Sequence, residues 1–237
     1  MAAGPTSTSS AATSTTRVRI WDAPVRIVHW LMVLLIAISW RSAESGAMDY
    51  HRYSGYALLG LLIFRILWGF LGSTTARFAS FVRGPRAILA YVRGTPGRVE
   101  HHEPSPPGHN PIGALSVIAL LLLLVTQVVL GLFAVDVDGI ESGPLSTYVS
   151  FETGRACAHW HGTVFNVLIC FIALHVAAVL FYLLFKRQNL ISAMIHGRRE
   201  YPATAAPEIE VGSTGWLLAI VAFAGLIVWL VASAFRF

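Results

Sequence analysis

The chain has 237 residues, of which 55% are apolar and only 12% are charged. Soluble domains carry about 25% charged residues, so this composition excludes a water-soluble globule, and a mean hydropathy of +0.64 indicates the bilayer as the solvent. The net charge of +5 does not indicate a nucleic-acid partner, because the basic residues lie in loops between apolar blocks.

The predicted elements begin with a polar tail and continue with five membrane-spanning helices. Residues 1–16 are rich in Ala, Ser and Thr and hold no charged side chain, which predicts disorder. Of the five apolar blocks that follow, all but the short first one approach or exceed the roughly 20 residues that cross a bilayer. The blocks cover residues 27–40, 53–71, 112–134, 160–185 and 216–235.

This order of blocks predicts an all-α integral membrane protein. Residues 17–200 are expected to form a four-helix transmembrane bundle, and residues 201–237 a linker with an extra C-terminal transmembrane helix. After the second block, residues 75–91 alternate apolar and basic side chains and predict a short interfacial helix. Residues 94–111 are predicted to be irregular, ending at Asn110 and Pro111 as N-cap and first residue of the third helix.

The basic residues predict the orientation in the membrane. With the N-terminus inside, 12 of the 17 Lys and Arg residues lie on the inner side and 4 on the outer side. Such an asymmetry is typical of a cytoplasmic N-terminus in a bacterial inner-membrane protein. The outer loop between helices three and four carries acidic residues instead, and is the expected face for an external partner.

The two cysteines support neither a disulfide framework nor covalent haem attachment. If Cys157 and Cys170 share one helix, their separation along it is about 20 Å, far beyond disulfide reach. The chain also holds no C-x-x-C-H segment, the attachment motif of c-type haem.

Four histidines are predicted to lie at membrane depth, where an ionisable side chain indicates function. His161 and His175 share the fourth helix, and their 14-residue spacing returns to nearly the same face about 21 Å further along. The helix directions then place His51 with His161 near the outer surface and His29 with His175 deeper. Two imidazoles on opposing helices are the typical ligands of a b-type haem.

Other interpretations of these residues stay open. A single His at this depth is commonly a hydrogen-bonded core residue or part of a proton relay, and His159 is the rival of His161 for the outer pair. Gly55 leaves room for a porphyrin or for close helix packing. Arg65 pairs with a haem propionate or extends to the membrane surface. Zinc is disfavoured, because its structural sites need four ligands close together.

Several ordered motifs resemble the bacterial cytochrome b561 family, which is similar to the b-type cytochrome subunits of nickel-iron hydrogenases. They are H-R-Y-S-G-Y-A-L-L-G-L-L-I-F-R-I-L-W-G-F at 51–70, A-R-F-A-S-F-V-R-G-P at 76–85, G-H-N-P-I-G-A-L at 108–115, and H-G-T-V-F-N with H-V within 161–176. The resemblance covers roughly residues 17–200. It implies a haem-binding four-helix bundle with two b haems, whose iron ligands match His29, His51, His161 and His175.

The resemblance also implies the function: electron transfer between the membrane quinone pool and a redox partner. That partner is expected to be a c-type cytochrome or a dehydrogenase or hydrogenase subunit. A second hypothesis is a superoxide:ubiquinone oxidoreductase. It is less favoured than electron transfer to a protein partner, because a basic surface would attract superoxide and the outer side has 6 acidic and 4 basic residues. A third is a haem-free proton or solute transporter that uses the histidines as a relay. No catalytic residue is assigned.

Overall fold

The computed structural model describes residues 15–82, 84–93 and 110–234, so the predictions for residues 1–14 and 94–109 lie outside the described residues. Within this part, five helices are long and apolar enough to cross a membrane, which confirms the predicted fold class. We call the ends of the bundle inner and outer according to the predicted topology. The helices are α1 Ala23–Glu44, α2 Met48–Leu71, α3 Phe78–Phe81, α4 Pro85–Val92, α5 Pro111–Phe133, α6 Phe151–Leu184, α7 Leu190–His196 and α8 Thr214–Ala234.

Three of the spanning helices, α1, α2 and α6, are several residues longer than the apolar blocks that predict them. α1 starts four residues before its block because Asp22 caps it, accepting a hydrogen bond from the Val25 N–H at 2.9 Å. α6 starts nine residues before its block and has 34 residues, or about 51 Å, against about 30 Å of hydrocarbon. Polar residues at helix ends therefore extend the helices beyond the membrane core.

The predicted cap of the third spanning helix, α5, is confirmed. Asn110 accepts a hydrogen bond from the Gly113 N–H at 2.6 Å, with Pro111 in the first turn. Its side-chain amide also donates to the Tyr182 hydroxyl at 2.5 Å, which ties the start of α5 to α6. The interfacial segment differs from the prediction: it forms two short helices, α3 and α4. Pro85 begins the second, since proline suits a first turn.

α2 is the central helix of the bundle. α1, α5 and α8 all pack against it, and α5 also packs against α6. Leu58, Leu62 and Trp68 of α2 are at most 5% exposed. The fifth spanning helix, whose role the sequence left open, is therefore part of the bundle, with Ile220 and Ala224 buried.

A two-stranded sheet that the sequence did not predict lies at the inner end. β1, Thr15–Arg19, pairs antiparallel with β2, Arg198–Pro202, so that two residues of the predicted tail belong to a strand. Gly197 makes the turn from α7 into β2 with a φ of 76°. A Cβ there would lie 2.6 Å from the Trp21 carbonyl oxygen, so only glycine permits this close approach.

Candidate functional site

Two of the predicted histidines face each other near the outer end of the bundle. His51 lies in the first turns of α2 and His161 lies on α6, and their ring centroids are 5.9 Å apart at an interplanar angle of 78°. His159 is exposed and packs its ring beside Trp160 instead. The structure thus brings His161, and not His159, opposite His51.

Backbone carbonyls fix the orientation of both rings. The Nδ1 of His51 donates to the Ser39 carbonyl at 2.9 Å, and the Nδ1 of His161 donates to the Gln127 carbonyl at 2.9 Å. A carbonyl oxygen only accepts, so the proton of each neutral imidazole is on Nδ1 and the lone pair is on Nε2. This is the arrangement in which histidines bind metals.

Gln127 contributes its side chain as well as its carbonyl. Its amide donates to the Nε2 of His161 at 3.1 Å, as expected for a nitrogen that carries a lone pair. Its Oε1 is buried and has no hydrogen-bond partner. The role of Gln127 in orienting His161 depends on the packing of α5 against α6.

A cavity of about 370 Å³ lies beside this pair, between α1, α2, α5 and α6. Its walls are mainly apolar and include Leu58, Leu124 and Phe165. A Cβ added to Gly55 or Gly162 would meet no atom within 4 Å, so both glycines leave the wall open where a side chain would otherwise fill the cavity.

Gly131 is a further functional residue that the sequence did not single out. A Cβ at this position would come within 2.9 Å of the His161 Cε1, so the ring can reach its place only beside a glycine. Its spacing of four from Gln127 puts both residues on one face of α5, and this spacing is the sequence signal that could have identified it.

The donor set fits a metal held by two imidazoles. Two imidazoles whose ring centroids lie 5.9 Å apart beside one cavity could together hold one metal. Among the described residues, no three His, Cys, Asp or Glu side chains come together as a metal site. The pair, its glycine walls and its apolar cavity suit a flat, two-ligand cofactor better than a tetrahedral ion.

The deeper predicted pair consists of His29 and His175. The two rings are near enough to interact electrostatically. The Nδ1 of His29 is buried and has no hydrogen-bond partner, and the ring packs edge-on to Trp30 at 5.0 Å. A buried imidazole nitrogen without a partner is unfavourable unless a ligand satisfies it.

Arg65 lies towards the inner end of α2 and does not line the outer cavity. It is 8% exposed, and its guanidinium lies 5.1 Å from the centre of the Phe78 ring and 3.5 Å from the Ala76 carbonyl oxygen. Among the described residues its one hydrogen bond, to the Ala76 carbonyl, is long, so the guanidinium retains donors for an anionic group.

An ion-pair cluster lies at the outer mouth of the cavity. Arg52 pairs with Asp49 and with Glu141 of the α5–α6 loop, each at 2.5 Å. Glu44 and Asp136 line the same mouth. The loop is therefore held against α2, and the entrance to the cavity is rich in carboxylates.

Comparison with known proteins identifies relatives of one kind. The family model described as prokaryotic cytochrome b561 matches residues 20–197. A probable Ni/Fe-hydrogenase B-type cytochrome subunit of Bradyrhizobium diazoefficiens is 24% identical over 214 residues, covering 78% of this chain and 86% of that protein. The corresponding Azotobacter vinelandii protein is 24% identical over 217 residues, covering 78% and 90%.

A probable Ni/Fe-hydrogenase 1 B-type cytochrome subunit of Escherichia coli K12 is 25% identical over 214 residues, covering 77% of this chain and 90% of that protein. No solved structure matches this chain significantly.

Proposed function

Because the chain belongs to the prokaryotic cytochrome b561 family, whose members are b-type cytochromes, we propose that it holds two b haems and carries electrons between quinone and an external redox partner. The family and the five spanning helices make it a multi-pass bacterial membrane protein of electron transport.

One observation carries the proposal: His51 and His161 face each other across a glycine-walled cavity with both Nδ1 protons bound to backbone carbonyls. These two residues would hold the outer haem. His29 and His175 would hold the inner haem, about 21 Å further along the membrane normal. Haem iron supplies reversible one-electron exchange, and the apolar cavity excludes water from it.

Three further residues have proposed roles in the cofactor sites. Gly55 and its neighbour across the cavity, Gly162, give a porphyrin room between α2 and α6. Arg65 is buried at the inner end with an incompletely bonded guanidinium, and would neutralise a propionate of the inner haem. None of these three residues would exchange electrons itself.

The outer surface supports a water-soluble partner. Val137 and Ile140 of the α5–α6 loop are 72% and 80% exposed, beside the carboxylates of the cavity mouth. Exposed apolar side chains with a charged rim are typical of protein interfaces. A c-type cytochrome or a dehydrogenase with a basic face fits this surface, and the relatives' names point to a hydrogenase subunit.

A quinone at the membrane is the proposed second redox partner. A lipid-soluble carrier can reach the sides of a bundle whose helices expose apolar residues, and the family resemblance points to this class of substrate. A transporter is favoured less, because the five described spans are continuous α-helices without the breaks that form midplane sites.

The haem stoichiometry tests the proposal. The purified protein is expected to show two b haems per chain by pyridine haemochrome, normalised to protein. His51→Ala or His161→Ala should remove one haem, and His29→Ala or His175→Ala the other, because each loses an axial ligand. His159→Ala is the matched control and should retain both. A colourless chain that binds no added haem would exclude a cytochrome. It would favour the alternative hypothesis of a transporter whose histidines form a relay.

A further inference from the structure

The two-stranded sheet at the inner end has one packed face and one exposed face. Val18 and Tyr201 point to the bundle, and Tyr201 is only 3% exposed. The alternate residues Arg17, Arg19 and Arg198 are exposed. Because the packed face belongs to the hydrophobic core, the exposed face presents its side chains from a fixed backbone.

The exposed face concentrates positive charge on one cross-strand pair. Arg17 lies opposite Glu200 and forms an ion pair with it at 3.1 Å. Arg19 lies opposite Arg198, and no carboxylate of the described residues forms an ion pair with either. Like charges directly opposite each other destabilise a sheet. An anion between the two guanidinium groups would remove this repulsion.

The position of the sheet identifies the anion. Arg19 is four residues before the first residue of α1, so it lies within about 13 Å of the start of a membrane span. Arg198 follows directly on the Gly197 turn, whose carbonyl accepts the Ile20 N–H at 2.9 Å. Both guanidinium groups are therefore at the depth of the phospholipid headgroups, on the side predicted to be cytoplasmic, where anionic lipids attract basic residues.

We infer that Arg19 and Arg198 form a cross-strand site for the phosphate of an anionic phospholipid headgroup. The planar guanidinium group binds phosphate oxygens in a bidentate manner, and two such groups held by one strand pair are already positioned for it. The site would fix the N-terminal strand and the segment after α7 at the membrane surface. This inference does not depend on the haem stoichiometry.

Lipid titration of the intact protein in detergent, followed by native mass spectrometry, tests the site. Phosphatidylglycerol is the probe and phosphatidylcholine the zwitterionic comparison. Each surface arginine is worth about a fivefold change in affinity for an anionic lipid, so Arg19→Gln and Arg198→Gln should each weaken phosphatidylglycerol binding about fivefold and the double variant roughly thirtyfold. Arg41→Gln, which removes the same charge from an exposed position at the outer end, should leave binding within about twofold.

Three results would overturn the site. The first is that the double variant and the parent bind phosphatidylglycerol equally, and the second is that the parent binds the two lipids equally. The third is that millimolar inorganic phosphate displaces phosphatidylglycerol, which would identify a site for free anions. The double variant and the parent should have the same circular dichroism spectrum in lipid-free detergent. This control shows that a loss of lipid binding is not caused by a loss of folding.

Discussion

At the residue scale, glycines define the outer site as much as the histidines do. Gly55 and Gly162 leave the cavity open, and Gly131 lets the His161 ring approach α5. These positions carry no chemistry of their own, and glycine weakens a helix by about 1 kcal/mol relative to alanine. Their presence in three spanning helices around one cavity indicates that space for a cofactor outweighs that loss.

Filling the cavity should displace the outer cofactor without unfolding the chain. Gly55→Leu places an isobutyl group where a Cβ meets no atom within 4 Å, so we expect the haem content to fall from two per chain to one, as measured by pyridine haemochrome. Gly225→Leu is the matched control, since Gly225 is equally open but lies on an exposed face of α8. Two haems in Gly55→Leu would show that the porphyrin does not occupy this cavity.

At the element scale, one carboxylate joins the inner ends of two spanning helices. Asp22 caps α1 and also accepts hydrogen bonds from the Trp68 Nε1–H at 2.8 Å and the Ser73 hydroxyl at 2.7 Å. Trp68 is 2% exposed and Ser73 is equally buried. The loss of Asp22 would therefore leave two buried donors without a partner.

Asp22→Ala should lower the free energy of unfolding by about 3 kcal/mol, from about 1 kcal/mol for the cap and about 1 kcal/mol or more for each buried donor. The measurement is reversible unfolding in mixed detergent micelles. Ser150→Ala, which removes only the exposed cap of α6, is expected to cost about 1 kcal/mol. Equal losses in the two variants would mean that Asp22 acts only as a helix cap.

At the scale of the whole molecule, α8 packs against the bundle outside the cavity beside His51 and His161. It packs on α2, where a Cβ at Gly60 would lie 3.3 Å from Val228. None of the residues that line the outer cavity belongs to α8. The helix therefore contributes to stability more than to the geometry of the site.

Removal of α8 should separate these two contributions. A chain that ends at residue 213 should keep the two proposed haems with an unchanged reduced-minus-oxidised spectrum, because the proposed ligands are on α1, α2 and α6. Its thermal midpoint should fall by several degrees, because α2 loses an apolar neighbour. Trp229→Ala, on the exposed face of α8, should change neither quantity. Loss of one haem on truncation would show that α8 shapes a haem site.

Much of this architecture follows from local patterns in the chain. Apolar blocks of membrane length predict the five spans, and Asn110–Pro111 predicts the start of α5, because hydrophobicity and capping are properties of neighbouring residues. The His161–His175 spacing predicts one helical face because helix geometry is regular. The pairing of His51 with His161 could be proposed because the alternating direction of the spans fixes depth.

Only the tertiary structure decided the contacts between distant segments. The β1–β2 pairing joins residues more than 180 positions apart, and neither strand has a local pattern that requires the other. The Gln127 carbonyl that orients His161, the open wall at Gly162 and the packing of α8 on α2 likewise depend on how the helices rotate against each other. Hydrophobicity determines which segments enter the membrane, whereas side-chain packing between them determines which faces meet.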